Sequence, residues 1–468
     1  MSGTHLTVAG SGATNIHSGV LSIPSSLGST VNSLLQTYLN GVSTSVVAGT
    51  AGFENYNAVN GTSVGTAATL PGATNYLEEI TNTDSVGGTV SGSPMSGVVS
   101  VNPAATTLVV QAPGSLTISG SSATGVALFG ASSNVAYSVD GGAGSIFAAG
   151  GNDSIYAINA SEALTSAGND TVYFSSASIG NETINAVGNA TTRVFLGGED
   201  AATVTASDSA QASVVFLPRA GGNVDFINNS SMAQTIFSGT YTVQGANGPV
   251  NEFTSNAVTA FGGAAGGFFV GGSAGFNSLI GGTGNATLVG GGAGDILSTG
   301  GANNNLYTGN GAETLLGAGG ANNFYVGIED VGIGTIRAVG DLVSAGGSGA
   351  QNFLLGQLSS TTLTGSTVTG ASNVYDVLGT YTTTGGQAAS LGGGNFTITD
   401  FGAHDSIFLV NGSYSAGGAG SASVETVQSA LGGGGTSILL TDGTVITLKG
   451  VSTSHVHVGL GGHQITLQ

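Results

Sequence analysis

Gly281-Gly282-Thr283-Gly284-Asn285-Ala286-Thr287-Leu288-Val289 is one unit of a longer pattern. Stepping by nine from Phe261 meets Val270, Leu279, Leu288, Leu297, Leu306, Leu315 and Phe324, and two further steps land on Ile333 and Leu342. Between them lie mostly Gly, Asn, Ala, Ser and Thr. A fixed short period with one large apolar residue per unit predicts a solenoid. Nine residues allow one Gly-rich turn and one very short strand, with the apolar side chain inward and each rung stacked on the next.

The unit resembles the nonapeptide G-G-x-G-x-D-x-(apolar)-x of the repeats-in-toxin (RTX) family, whose parallel β-roll binds calcium in its turns. In that family the sixth position carries the ligand carboxylate. Here it reads Asn277, Ala286, Asp295, Asn304, Glu313 and Asn322, so only two of the six are anionic. Calcium takes six to eight oxygens and gains affinity from ligand charge. The array thus keeps the family's shape and loses much of its calcium chemistry. Stacked Asn side chains can instead bond one another in a ladder.

An earlier block repeats the rhythm at Leu128, Tyr137, Ile146, Ile155 and Leu164. It holds Gly151-Asn152-Asp153-Ser154-Ile155, Gly168-Asn169-Asp170-Thr171-Val172 and Gly180-Asn181-Glu182-Thr183-Ile184. Each places a carboxylate two residues before an apolar residue, as in the family's core motif. Asp140 and Asp200 lie in similar turns. By the resemblance, the candidate calcium ligands are Asp140, Asp153, Asp170, Glu182, Asp200, Asp295 and Glu313. The alternative is a set of Asx turns, in which Asn and Asp bond their own backbone.

Composition limits the function. The chain has 468 residues, 85 Gly, no Cys and a net charge of -20, with 4 Lys plus Arg against 24 Asp plus Glu. So few cations cannot neutralise phosphates, which excludes nucleic-acid partners and disfavours anionic membranes. No run of about 18 apolar residues occurs, so no transmembrane segment is expected. The start, Met1-Ser2-Gly3-Thr4-His5, lacks a basic and an apolar region, so no cleaved secretory signal is expected.

The expected fold is all-β: β-roll or β-solenoid blocks between a small N-terminal domain carrying one helix and a C-terminal cap. The segments are 1–115 (β-rich, helix 29–40), 116–258 (irregular solenoid), 259–342 (regular nonapeptides), 343–390 (Ser/Thr/Gly-rich extension) and 391–468 (cap). Val31, Leu34, Leu35, Tyr38 and Leu39 set the helix face, and Asn40-Gly41 its stop. Turns are signalled at Asn60-Gly61 and Pro71-Gly72. In the cap, Ser423 to Leu431 reads as a short helix and Asp442-Gly443 as a hairpin turn. Residues 391–468 also resemble the C-terminal cap of RTX proteins exported by type I secretion. This implies an extracellular or cell-surface location and an uncleaved C-terminal signal.

No catalytic set emerges, and no enzyme is expected. Gly61-Thr62-Ser63-Val64-Gly65 and Gly271-Gly272-Ser273-Ala274-Gly275 match the nucleophile-elbow pattern, but chance supplies such matches in this composition. His455 and His457 read as a surface pair on the cap. Uncharged strand edges and faces favour association. The expected function is a secreted structural protein that self-assembles into a surface layer, biofilm matrix or filament, with Ca2+ supporting its turns. Its partners are further copies of itself. The alternative is an adhesin that binds cell-surface polysaccharide.

Overall fold

The computed structural model describes residues 4–8, 19–23, 27, 29–48, 51–57, 62–64, 75–81 and 95–100. From 105 onward it describes all but 112–113, 121–122, 131–132, 159–160, 175–180, 198–200, 217–222, 238–239, 246–247, 254–256, 274, 302, 328–338, 357–358, 370, 383–387, 391–392, 412–415, 418–420 and 433. The fold is a parallel β-solenoid, with one α-helix near the N-terminus. It divides into two compact units, Met1–Met232 and Ala233–Gln468.

Successive nonapeptides in the second unit do not stack on one another. They alternate between two parallel sheets, so each stacks on the next but one. In sheet C, Ser278–Ile280, Ile296–Thr299 and Thr314–Gly317 align Leu279, Leu297 and Leu315, which are all 0% exposed. In sheet D, Gly267–Val270, Ala286–Val289, Asn303–Tyr307 and Ala321–Val326 align Phe269, Leu288, Leu306 and Phe324. Each inward Leu or Phe stabilises its rung by about 1.5–3 kcal/mol. Rings continue the file, with Phe324 stacked on Phe353 at 4.9 Å and Phe353 on Tyr375 at 4.6 Å. At the turns the chain needs Gly. Gly282 has φ +71°, and a Cβ there would collide with the carbonyl of Gly263 one turn back.

The nine-residue count errs at both ends of the array. Phe261 and Leu342 point outward, 43% and 45% exposed, while their neighbours Ala260 and Val343 fill the inward file. The turn before Asn277 is one residue longer than the turn before Asp295. That extra residue shifts the frame, so Phe269 rather than Val270 joins the inward file. Ile333 lies outside the described residues.

The first unit has the same two-sheet plan. Sheet A aligns Leu108, Ala127, Ile146, Leu164, Ile184 and Val204. Sheet B aligns Ile118, Tyr137, Ile155, Val172, Val194 and Val214. Parallel pairing in sheet A reaches back to Ala51–Asn57 and Asn75–Thr81. Leu128 is buried, but on the outer side of its sheet, next to the inward Ala127. Its cover is the helix α1, Ser29–Val47. Leu35, Leu39 and Val42 of α1 pack with Leu27 on Val109, Leu128 and Ala149.

α1 is longer than expected and runs straight through Asn40-Gly41. Val42 continues the apolar face one turn on, and this burial outweighs the roughly 1 kcal/mol cost of a helical Gly. A second correction concerns the cap: Val424–Ser429 is a strand, not a helix. It pairs antiparallel with Gly435–Leu440, which pairs antiparallel with Val445–Lys449. Sheet pairing overrides the helical reading there. The hairpin at Asp442-Gly443 is present, with Gly443 at φ +86° and the Thr444 N–H donating to Asp442 Oδ1 at 3.0 Å. Antiparallel strands also end sheet D, where Gln464–Leu467 pairs with Ser406–Val410. The turn signals at Asn60-Gly61 and Pro71-Gly72 lie outside the described residues. Among the described residues, no helix is long and apolar enough to cross a membrane.

Candidate ion-binding files inside the solenoid

Where the position two residues before an inward apolar residue is Asp, Glu, Asn or Gln, it is itself buried. Its side chain meets the backbone of the turn before it. In sheet B, the Val135 N–H donates to Asp153 Oδ1 at 2.7 Å, and the Asp153 N–H donates to Asp170 Oδ1 at 3.1 Å. In sheet A, the Glu162 N–H donates to Glu182 Oε2 at 2.7 Å. In sheet C, the Val258 N–H donates to Asn277, the Asn277 N–H to Asp295, and the Glu313 N–H to Asp341, at 2.8, 2.8 and 3.0 Å. In sheet D, the Asn373 N–H donates to Asp405 at 3.2 Å. The position thus needs an acceptor that spans one turn. Asn, Asp and Glu all supply it.

Glycines two residues beyond the apolar residue make room for these head groups. A Cβ on Gly271 would lie 2.7 Å from the Asn277 amide, and one on Gly365 2.6 Å from that of Asn373.

In the second unit the two sheets carry different files. Sheet D carries amides. Asn304 Nδ2 donates to Asn322 Oδ1 at 3.0 Å, and Asn322 Nδ2 to Gln351 Oε1 at 2.8 Å. This is the Asn ladder expected from the sequence. Sheet C carries acids, in the order Asn277, Asp295, Glu313, Asp341. Because nonapeptides alternate between sheets, the sixth positions alternate as well. Over Asp295 to Gln351 the acids fall on sheet C and the amides on sheet D; further along, sheet D takes an acid at Asp405.

Eight carboxylates are buried: Asp153, Glu162, Asp170, Glu182, Asp295, Glu313, Asp341 and Asp405. Among the described residues no Lys or Arg is buried with them. Desolvation raises the proton affinity of most of these acids. Burial, with Asp170 adding like charge, pushes Asp153 up to about 8. Burial pushes Asp170 to about 6, Glu162 to about 7 and Asp341 to about 7. Glu313 is raised well above its usual range by burial, then by Asp295 and Asp341. At neutral pH these files therefore need protons or a cation to offset their charge.

The donor sets divide by their fit to calcium. Asp295 Oδ2 accepts from the Gly291 and Gly292 N–H groups at 2.8 and 3.1 Å, while Oδ1 accepts from Asn277. Both Glu313 oxygens accept from the Gly309 N–H at 2.9 Å. N–H dipoles aimed at every oxygen exclude a cation, so this pair does not fit one as arranged. Asp153 Oδ2 and Asp341 Oδ2 are buried and have no hydrogen-bond partner. Each leaves one oxygen for an ion, and each has a second carboxylate beside it in the file.

Of the sequence candidates, Asp153 and Asp170 come together in sheet B, and Asp295 and Glu313 in sheet C. Glu182 stacks with Glu162 in sheet A. Asp140 sits exposed at the end of its strand, and Asp200 lies outside the described residues. Glu162, Asp341 and Asp405 were missed as candidates. Each stands two residues before an inward apolar residue (Leu164, Val343 and Ile407), a signal that needed no Gly-Asn before it. Among the described residues, no three His, Asp or Glu side chains converge as a metal cluster. His455 and His457 are both exposed. Gly271–Gly275 sits in the turn between two strands, and only Thr62–Val64 of the other elbow match is described.

Comparison with models of protein families, with curated proteins and with solved structures gives no match to this chain.

Proposed function

We propose that this protein is a secreted structural subunit whose copies assemble into a surface layer, matrix or filament, with calcium supporting some of its turns. The observation that carries this reading is the placement of charge. Eight carboxylates lie inside, while Asp140, Asp208, Asp225 and Glu425 are exposed. A surface so poor in charge has little to hold copies apart. An interior so rich in acid calls for a neutralising cation, which calcium supplies outside cells. When bound, calcium would offset carboxylate charge and tie adjacent turns. Asp153 and Asp341, each with one buried oxygen that accepts no hydrogen bond, are the residues suited to hold it. The resemblance of residues 391–468 to a type I secretion cap supports export by that route.

Electron microscopy of the purified protein with calcium and with chelator tests this. Sheets or filaments that disperse in chelator are expected. Monodisperse particles in both conditions would end the reading.

One observation favours the adhesin reading instead. On the outer side of sheet D, Asn352 Nδ2 donates to Asn323 Oδ1 and Asn323 Nδ2 to Asn305 Oδ1, at 2.8 and 2.9 Å. Tyr307 and Tyr325 stack beside them at 4.1 Å. Neutral amides next to aromatic rings suit a polyhydroxylated ligand. Monomers that bind cell-surface polysaccharide would support that reading.

A further inference from the structure

Each strand of sheet C presents two outward side chains, one on either side of its inward residue. Over five consecutive strands, one of the two is large and the other small. The pairs are Phe261 with Thr259, Ile280 with Ser278, Ile296 with Ser298, Leu316 with Thr314, and Leu342 with Ser344. The large residue does not keep to one side. It lies after the inward residue in Phe261, Ile280 and Leu316, and before it in Ile296 and Leu342. The result is an uncharged relief of knobs and hollows. Phe261, Ile296, Leu316 and Leu342 are 43%, 47%, 38% and 45% exposed. Two strands further carry Thr362 with Thr364 and Thr397 with Thr399 in the same rows. The next strand bears Thr447 and Lys449, and Lys449 closes the strip with the chain's one lysine.

The first unit shows how this sequence treats such a face. Where the outer side of sheet A is apolar, at Val109 and Leu128, α1 covers it. Further along, the outward residues are mostly polar: Thr183 beside Asn185, Thr203 beside Thr205, and Asp225 beside a single exposed Ile227. In the second unit, apolar outward residues stand exposed, and among the described residues no helix covers them. Sheets pack face to face when large and small side chains interdigitate about 10 Å apart.

We propose that the outer face of sheet C, from Phe261 to Thr399, packs against the same face of a second copy of this chain. This names the contact behind the self-assembly proposed above and rests on that reading. Three features select a second copy. The relief is self-complementary, since a two-fold axis sets knobs of one copy over hollows of the other. The strip carries no charge, so like faces meet without repulsion. Its size sets the strength. Seven strands about 4.8 Å apart span roughly 30 Å, and three residues of each strand span roughly 10 Å, so the strip covers roughly 300 Å², less than the ~800 Å² per partner of a stand-alone pair. The contact is therefore weak alone, concentration-dependent and insensitive to salt; being two-fold it joins copies in pairs, which a further contact must link into an extended assembly.

The test uses full-length protein in chelator, where calcium-linked contacts are removed. Sedimentation velocity across a concentration series at low and high NaCl is compared for wild type, Ile296→Lys and Leu316→Lys. Both positions are exposed, so the fold tolerates the change. Wild type is expected to self-associate equally at both salt levels, and each variant to associate at least about tenfold more weakly. Thr314→Cys gives a second readout in this Cys-free chain. A bismaleimide about 10 Å long is expected to yield a covalent dimer, with Thr183→Cys on the first unit as the slow control, since facing sheets about 10 Å apart hold paired Cys too far apart for a disulfide. Wild type that assembles while both Lys variants assemble equally well overturns the contact and leaves the structural reading standing. Wild type that never associates, with or without calcium, overturns both. A monomer that instead adsorbs to polysaccharide through this face, and loses that with Ile296→Lys, also overturns the contact.

Discussion

The two sheets of the second unit perform one task with two chemistries. In sheet D, from Asn304 to Gln351, the buried position is held by amides that bond along the file and carry no charge. In sheet C the same position, two residues before the inward residue, holds Asp295, Glu313 and Asp341. The bond from the preceding turn is common to both files. What the position requires is therefore an acceptor of the right reach, and charge is an addition. An addition that costs desolvation, where a neutral amide serves equally well in the neighbouring sheet, calls for a role beyond folding.

The largest effect expected in this comparison comes from putting acid into the neutral file. Asn322→Asp replaces an amide that donates to Gln351 and accepts from Asn304. It should destabilise chelated protein by several kcal/mol at pH 8, and by less at pH 5, where the new carboxyl is protonated. Urea unfolding at the two pH values checks this. Next come the acids themselves, where the two kinds of donor set should give opposite signs. Asp153→Asn keeps the acceptor for Val135 and removes the repulsion with Asp170. It should stabilise chelated protein at pH 8 by about 1–3 kcal/mol and blunt the response to calcium. Asp295→Asn turns an N–H donor toward the Gly291 or Asn277 N–H groups. It should destabilise by about 1–3 kcal/mol whether or not calcium is present. Equal signs for the two variants would break the division between open and closed carboxylates. The smallest effect concerns α1. A Cβ on Gly41 meets nothing within 4 Å, so Gly41→Ala should stabilise by about 0.5–1 kcal/mol, read as a rise in Tm.

The solenoid was legible in the sequence because its inward residues are large, its turns are Gly-rich and the period is strict. The ladder of amides was legible for the same reason. The segregation of acids from amides was not. A period of nine describes the unit, whereas stacking follows every second unit. Averaging over all six sixth positions mixed two files into one. The frame shift at Phe261 was hidden too, since one extra turn residue moves an apolar residue to the outer face without breaking the apolar pattern. The strand Val424–Ser429 failed as a helix because its β-branched residues are set by a neighbouring hairpin, not by local period.

The central claim is that uncompensated carboxylates inside the fold are offset by protons at low pH and by calcium at high pH. For Asp153, Asp170 and Asp341, the folded-state proton affinity is raised above the ordinary carboxylate range, to about 8, 6 and 7. A raised acid contributes stability that is full below its unfolded value near 4 and is lost as pH rises through its folded value. The most direct measurement is therefore unfolding free energy from pH 5 to pH 9, in chelator and in millimolar calcium. The account expects chelated protein to lose several kcal/mol between pH 5 and pH 8, and calcium to restore stability at pH 8 while adding little at pH 5. Chelated protein as stable at pH 8 as at pH 5, with no response to calcium at either, would contradict it.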